Sequence, residues 1–135
     1  MSDGSINHIG IATHSLEESE FFWSKLGFSF SDEMINKDQG VKIRYLSGKG
    51  NTRIELLEPL SEESPVGRFI SRRGEGIQQI AVDVIDLDST ISELKDSGVI
   101  MVSDKPVIGS CGHRIAFIHP SSAGGVLIEL VESSK

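Results

Sequence analysis

The chain has 135 residues, 38% hydrophobic and 24% charged, with a formal net charge of -7. That is material for one domain with a real core, and the acidic balance argues against nucleic acid or an anionic membrane as partner. A single cysteine, Cys111, rules out an internal disulfide, and neither a secretion signal nor a membrane-spanning apolar run is visible, so a soluble cytoplasmic protein is expected.

Residues 6–12 alternate as a strand, with Ile9 and Ile11 on one face and His8 and Gly10 on the other. Ser15-Leu16-Glu17-Glu18 has capping-box spacing, Ser15 as N-cap and Glu18 reaching back. The helix that follows is expected to turn Leu16, Phe22, Trp23 and Leu26 inward and to end on Gly27. A short strand over 28–31, a polar turn over 36–40 and a strand over 41–46 come next. A hairpin turn at Gly48-Lys49-Gly50-Asn51 then leads into a strand over 53–57. This first module, about 5–60, is β-α-β-β-β.

The connector, about 61–75, holds a short helix that starts at Ser64-Pro65 and turns Val66, Phe69 and Ile70 inward. Arg68, Arg72 and Arg73 read as its solvated face rather than as a basic pocket. The second module, about 76–135, repeats the first. It has a strand over 77–84, a helix over 86–97 capped by Asp86, then Gly98 and strands over 99–102, 113–118 and 125–131.

The repetition extends to individual residues. His8 and Gln79 stand at equivalent points of the two leading strands, each followed by a Leu eight residues on (Leu16, Leu87) and a Gly nineteen on (Gly27, Gly98). Each module closes on an apolar strand with a carboxylate inside it, Ile54-Glu55-Leu56 and Ile128-Glu129-Leu130. The expected fold is α+β: two paired βαβββ modules in one domain, 1–135, forming a half-open barrel-like sheet around a cleft. Strand parity puts His8, Glu55, Gln79 and Glu129 on the cleft face. A carboxylate between apolar neighbours costs several kcal/mol if buried without a partner. One imidazole, two carboxylates and one amide oxygen make a donor set that suits cobalt, manganese, nickel, iron or zinc.

The remaining candidates have simpler readings. His14, just before the helix cap, is expected to be exposed. His119 precedes Pro120, where a turn-stabilising hydrogen bond accounts for it. Cys111 reads as a loop filler, because no base is fixed beside it. His113 starts a strand and could face a ligand.

These residues resemble a known family. Ile6-Asn7-His8-Ile9-Gly10-Ile11-Ala12, Ile54-Glu55-Leu56-Leu57-Glu58-Pro59-Leu60 and the stretch from Gly109-Ser110-Cys111-Gly112-His113-Arg114 to Ile128-Glu129-Leu130 are similar, in order and over almost the whole chain, to the vicinal-oxygen-chelate superfamily. Within it they most resemble the methylmalonyl-CoA epimerases. The resemblance implies a divalent metal held by His8, Glu55, Gln79 and Glu129, with Glu129 also transferring protons, an acyl-CoA substrate, and a homodimer. It makes Ser110, Gly112, His113 and Arg114 candidate substrate contacts.

Two positions depart from the family pattern. Its Gly-x-His-His motif reads Gly76-Ile77-Gln78-Gln79 here, so an amide replaces the ligand imidazole. The glutamate that several epimerases carry after Gly-Val, a proposed second acid/base, is Ile43. The activity implied is removal and return of the α-proton of a 2-substituted malonyl thioester. A glyoxalase I-type isomerase and a non-catalytic small-molecule binder are the alternatives on this scaffold. A ring-cleaving dioxygenase is disfavoured, since its metal needs two histidines and one carboxylate.

Overall fold

The computed structural model describes residues 4–50 and 52–133. In chain order the first elements are β1 (Ile6–Ala12), α1 (Leu16–Ser24), β2 (Ser29–Phe30), β3 (Met34–Asn36), β4 (Val41–Ser47), β5 (Arg53–Pro59) and α2 (Pro65–Arg73). They are followed by β6 (Gly76–Val84), α3 (Leu87–Asp96), β7 (Val107–Ile108), β8 (Arg114–Ile118), a 3-10 turn at Pro120–Ser122, and β9 (Leu127–Glu132). The class is α+β, and no helix among the described residues is long and apolar enough to cross a membrane. The described residues divide into two compact units, one within 8–78 and the other formed by 4–7 with 79–133.

In the unit spanning 8–78 the strand order is β2-β4-β5-β1, with β3 paired to β4. β1 runs parallel to β5 and β4 antiparallel to it. One face packs on α1 through Leu16, Leu46 and Leu56, with Ile11, Trp23, Phe28, Phe30 and Ile54 around them. The other face packs on α2 through Ala12, Val41, Ile43, Leu57, Val66 and Ile70. Ser15 caps α1 by accepting from the Glu18 N–H at 3.2 Å. The reciprocal half of the expected capping box is absent, because the Ser15 N–H bonds Thr13 Oγ1 instead, also at 3.2 Å.

Phe22 and Leu26, expected in the core, are exposed. Leu16 and Trp23, seven residues apart, define the inward stripe; Phe22 lies one helical step off it, and Leu26 falls beyond the helix end. The extra strand β3 folds back on β4 across the expected turn. Asn51, the last residue of the expected hairpin turn, lies outside the described residues. Arg72 and Arg73 are exposed in the last turn of α2, where cations complement the helix dipole.

In the second unit the order is β6-β9-β8-β7. β6 is parallel to β9, and β8 is antiparallel to both of its neighbours. α3, capped by Asp86, covers one face through Leu87 and Ile91 packed on Ala116, Ile118 and Leu130. Ala81, Ile115 and Val131 cluster on the other face with Phe117 beside them. The strand expected at 99–102 is reduced to one bridge, Met101 to Ile118, and the edge strand forms later, at Val107–Ile108.

The repeat extends to the joints between helix and sheet. The Leu16 N–H at the start of α1 donates to Glu58 at 2.9 Å, and the Leu87 N–H at the start of α3 donates to Glu132 at 2.9 Å. Each glutamate lies three residues beyond the inner carboxylate of its own strand, satisfying an amide that a helix start otherwise leaves orphaned.

Candidate functional site

In β1 and β5 the alternation of faces aims His8 and Glu55 away from α1, and both are more than nine-tenths buried. The register sets His8 beside Arg53 and Gly10 beside Glu55. The two side chains therefore meet on the diagonal, His8 Nε2 to Glu55 Oε2 at 3.2 Å. The second unit repeats this register, with Gln79 beside Leu127 and Ala81 beside Glu129. Again the diagonal pair meets: Gln79 Nε2 donates to Glu129 Oε1 at 2.9 Å, with both residues buried.

Burial raises the Glu129 carboxyl from 4.5 to about 7, against the opposing pull of the Gln79 hydrogen bond. A buried carboxylate of this kind stays protonated or gains a cation. The donor chemistry of the two pairs fits a divalent ion: an imidazole nitrogen with a carboxylate in one, an amide with a carboxylate in the other. Among the described residues no three of His, Cys, Asp and Glu gather into one cluster. The fit rests on the two pairs, each within its own unit.

Ile43 is 3% exposed and packed among the apolar residues facing α2, so no acid stands at this point of β4. Ser110 and Gly112 are exposed on a tight turn closed by Gly112 N–H to Gly109 O at 3.0 Å, with φ of +82° at Gly112. His113 is half-buried at the end of that turn. Arg114 is committed elsewhere: it donates to Asp88 at 2.9 Å and to Glu132 at 3.3 Å beside the start of α3. Its side chain shares the α3 face with Ala116 and Ile118. His14 is exposed, and His119 Nδ1 accepts from the Ser121 N–H at 3.0 Å, capping the turn after β8.

Two residues on the same face as His8 and Glu55 were missed. Tyr45 pairs in register with Glu55, and the Arg53 guanidinium lies 5.7 Å from the centre of its ring. Parity alone could have placed Arg53, two residues before Glu55. Tyr45 needed the antiparallel register.

The model of the Glyoxalase/Bleomycin resistance protein/Dioxygenase superfamily matches residues 7–117. The solved structure of methylmalonyl-CoA epimerase from Mycobacterium tuberculosis is similar at TM-score 0.88 and 41% identity, over 96% of this chain and 88% of that one. A variant of the Streptomyces coelicolor methylmalonyl-CoA epimerase in complex with 2-nitronate-propionyl-CoA gives TM-score 0.86 and 39% identity, over 96% of this chain and 97% of that one. The ethylmalonyl-CoA/methylmalonyl-CoA epimerase of Cereibacter sphaeroides is 34% identical over 130 residues, 94% of this chain and 96% of that protein. With its strands, helix caps and paired donors repeated in both halves, the chain belongs to the glyoxalase/bleomycin resistance protein/dioxygenase superfamily and, within it, to the methylmalonyl-CoA epimerase family.

Proposed function

We propose that the chain epimerises the α-carbon of methylmalonyl-CoA or a closely related 2-substituted malonyl thioester. The observation that carries this is the Gln79–Glu129 pair, a buried carboxylate with its proton affinity raised to the neutral range. The acyl-CoA analogue held by the Streptomyces coelicolor relative supports the substrate class.

The α-hydrogen of such a substrate lies between a thioester and a carboxylate, and its removal leaves negative charge on the thioester oxygen. A divalent ion, with His8, Glu55, Gln79 and Glu129 as its ligands, would supply positive charge for that oxygen. Glu129 takes the proton from one face of the α-carbon on a carboxylate oxygen. Gln79 Nε2 holds Oε1 of that carboxylate and sets its direction. Burial of both pairs keeps water from competing for the proton. Inversion returns a proton to the opposite face of the α-carbon from a second acid, a water or a side chain of a neighbouring strand, because the apolar Ile43 cannot be its donor. Ser110, Gly112 and His113 remain the proposed contacts to the rest of the substrate.

Deuterium exchange tests the reading. Methylmalonyl-CoA incubated in D₂O with the Co²⁺-supplied protein should lose its α-proton signal by NMR while its enantiomers interconvert. Absence of exchange with Co²⁺, Zn²⁺, Mn²⁺ and Ni²⁺ alike would overturn it. A cytoplasmic homodimer belongs to the same proposal. Exposed Phe21, Phe22 and Leu26 offer apolar surface for a second copy, and a monomer in sedimentation equilibrium would refute that part.

A further inference from the structure

The two copies of the repeat serve as controls for one another. In register, Tyr45 beside Glu55 corresponds to Phe117 beside Glu129, and Arg53 beside His8 corresponds to Leu127 beside Gln79. An aromatic ring at this place is thus common to both halves, whereas the cation belongs to one. Its guanidinium is steadied over that ring, 5.7 Å from the centre, and it stands at the exposed start of β5 on the face that carries His8 and Glu55.

We infer that Arg53, seated on the Tyr45 ring, is the substrate-positioning residue that recognises the free carboxylate of the acyl group. The inference rests on the epimerase reading, which supplies the malonyl-type substrate. A planar guanidinium matches a carboxylate with two parallel hydrogen bonds, and stacking on a ring lowers the cost of ordering it. A chain of net charge -7 repels an anionic substrate at long range, so a local cation is needed at the site.

Distance separates the two anionic parts of the substrate. Arg53 lies two residues from Glu55, about 7 Å along the strand, and on the strand adjacent to His8. The free carboxylate is bonded directly to the α-carbon, which under the epimerase reading reacts beside this pair. The phosphates of the CoA lie a whole pantetheine arm away. The cation therefore serves the carboxylate.

Calorimetric titration of the Co²⁺-supplied protein with methylmalonyl-CoA, propionyl-CoA and CoA tests this, because propionyl-CoA lacks only the carboxylate. Arg53→Ala should weaken methylmalonyl-CoA binding roughly ten- to a hundredfold and leave the other two unchanged. Arg53→Lys, which keeps the charge and loses the fork, should fall between. Equal losses for all three ligands would mean that Arg53 reads phosphate, and no loss would mean that it reads nothing; either result overturns the inference. Tyr45→Phe should keep the preference for methylmalonyl-CoA over propionyl-CoA, and Tyr45→Leu should reduce it. Equal loss in both would overturn the ring's role as a platform. Failure of the epimerase reading shows separately, as absent α-proton exchange in the unsubstituted protein. Failure of the anchor leaves that exchange intact with the binding preference unmoved by Arg53→Ala.

Discussion

At the scale of single residues, the two buried pairs make different demands on pH. Glu129 has its folded-state pKa raised from 4.5 to about 7, so the folded, metal-free protein holds a proton that the unfolded chain releases. The stability this gives is complete below about pH 4.5 and is lost as pH rises through about 7, a swing of about 3 kcal/mol. Metal-free Glu129→Gln, which keeps an acceptor for Gln79, should therefore be more stable than the parent at pH 8 and equal to it at pH 4.5. Urea midpoints at the two pH values measure this, and an advantage that persists at pH 4.5 would contradict the assigned cause. Gln79→His should tighten Co²⁺ binding by about tenfold, since imidazole is the stronger donor. Unchanged affinity in a calorimetric titration would remove Gln79 from the metal's ligands.

Glu75 behaves in the opposite sense. Its carboxylate accepts from the His14 N–H at 2.7 Å and from Thr13 Oγ1 at 3.0 Å, and these bonds hold it below the ordinary 4.5. Its contribution is present above that value and fades as pH falls through the depressed one. Because the group is solvent-exposed, the contribution is small.

At the scale of elements, the glutamates that meet the helix starts invite a comparison. Glu58→Ala removes the acceptor from α1 and a partner from Lys42 at 3.5 Å, and Glu132→Ala removes the acceptor from α3 and a partner from Arg114 at 3.3 Å. The expected loss is about 1 kcal/mol for each, set by the helix amide because both cations are solvent-screened, read from thermal or urea unfolding. Gly67 of α2 lies against the backbone carbonyls of Ser61 and Glu62, closer than any added Cβ could approach. Gly67→Ala must shift main chain, and a loss of about 2 kcal/mol or more is expected.

Elements also show where sequence reading reaches its limit. Period-two alternation was enough to put His8 and Glu55 on one face of their sheet, and Gln79 and Glu129 on one face of theirs, because parity is a local property of each strand. β3 and β7, at three and two residues, are too short to show a period. The burial of a helix residue depends on where the helix stops, which misplaced Phe22 and Leu26. The ion pairs of Arg114 with Asp88 and Glu132 join residues 26 and 18 positions apart, which no local pattern shows. Tyr45 required register, a relation between strands that no single stretch of chain contains.

At the scale of the whole molecule, charge governs approach. A chain of net charge -7 meeting a polyanionic thioester should show a kcat/KM that rises as ionic strength is brought toward about 0.1 M, where the screening length is about 10 Å. A steep fall over the same range would point instead to a basic funnel. The internal repeat gives the molecule two similar frames, and divergence has fallen on chemistry rather than framework. Helix caps, registers and inner carboxylates are kept in both, while one half has an imidazole and a cation where the other has an amide and a leucine.

The glutamates spaced three apart, Glu55 with Glu58 and Glu129 with Glu132, point to opposite sides of their sheets because three is odd. Each closing strand is thus pinned like a ruler read from both sides. A helix amide marks its position on one side, and the buried pair marks it on the other. A slip of one residue would lose both marks together, so the first turn of each helix acts as a gauge for the depth at which its inner carboxylate meets His8 or Gln79.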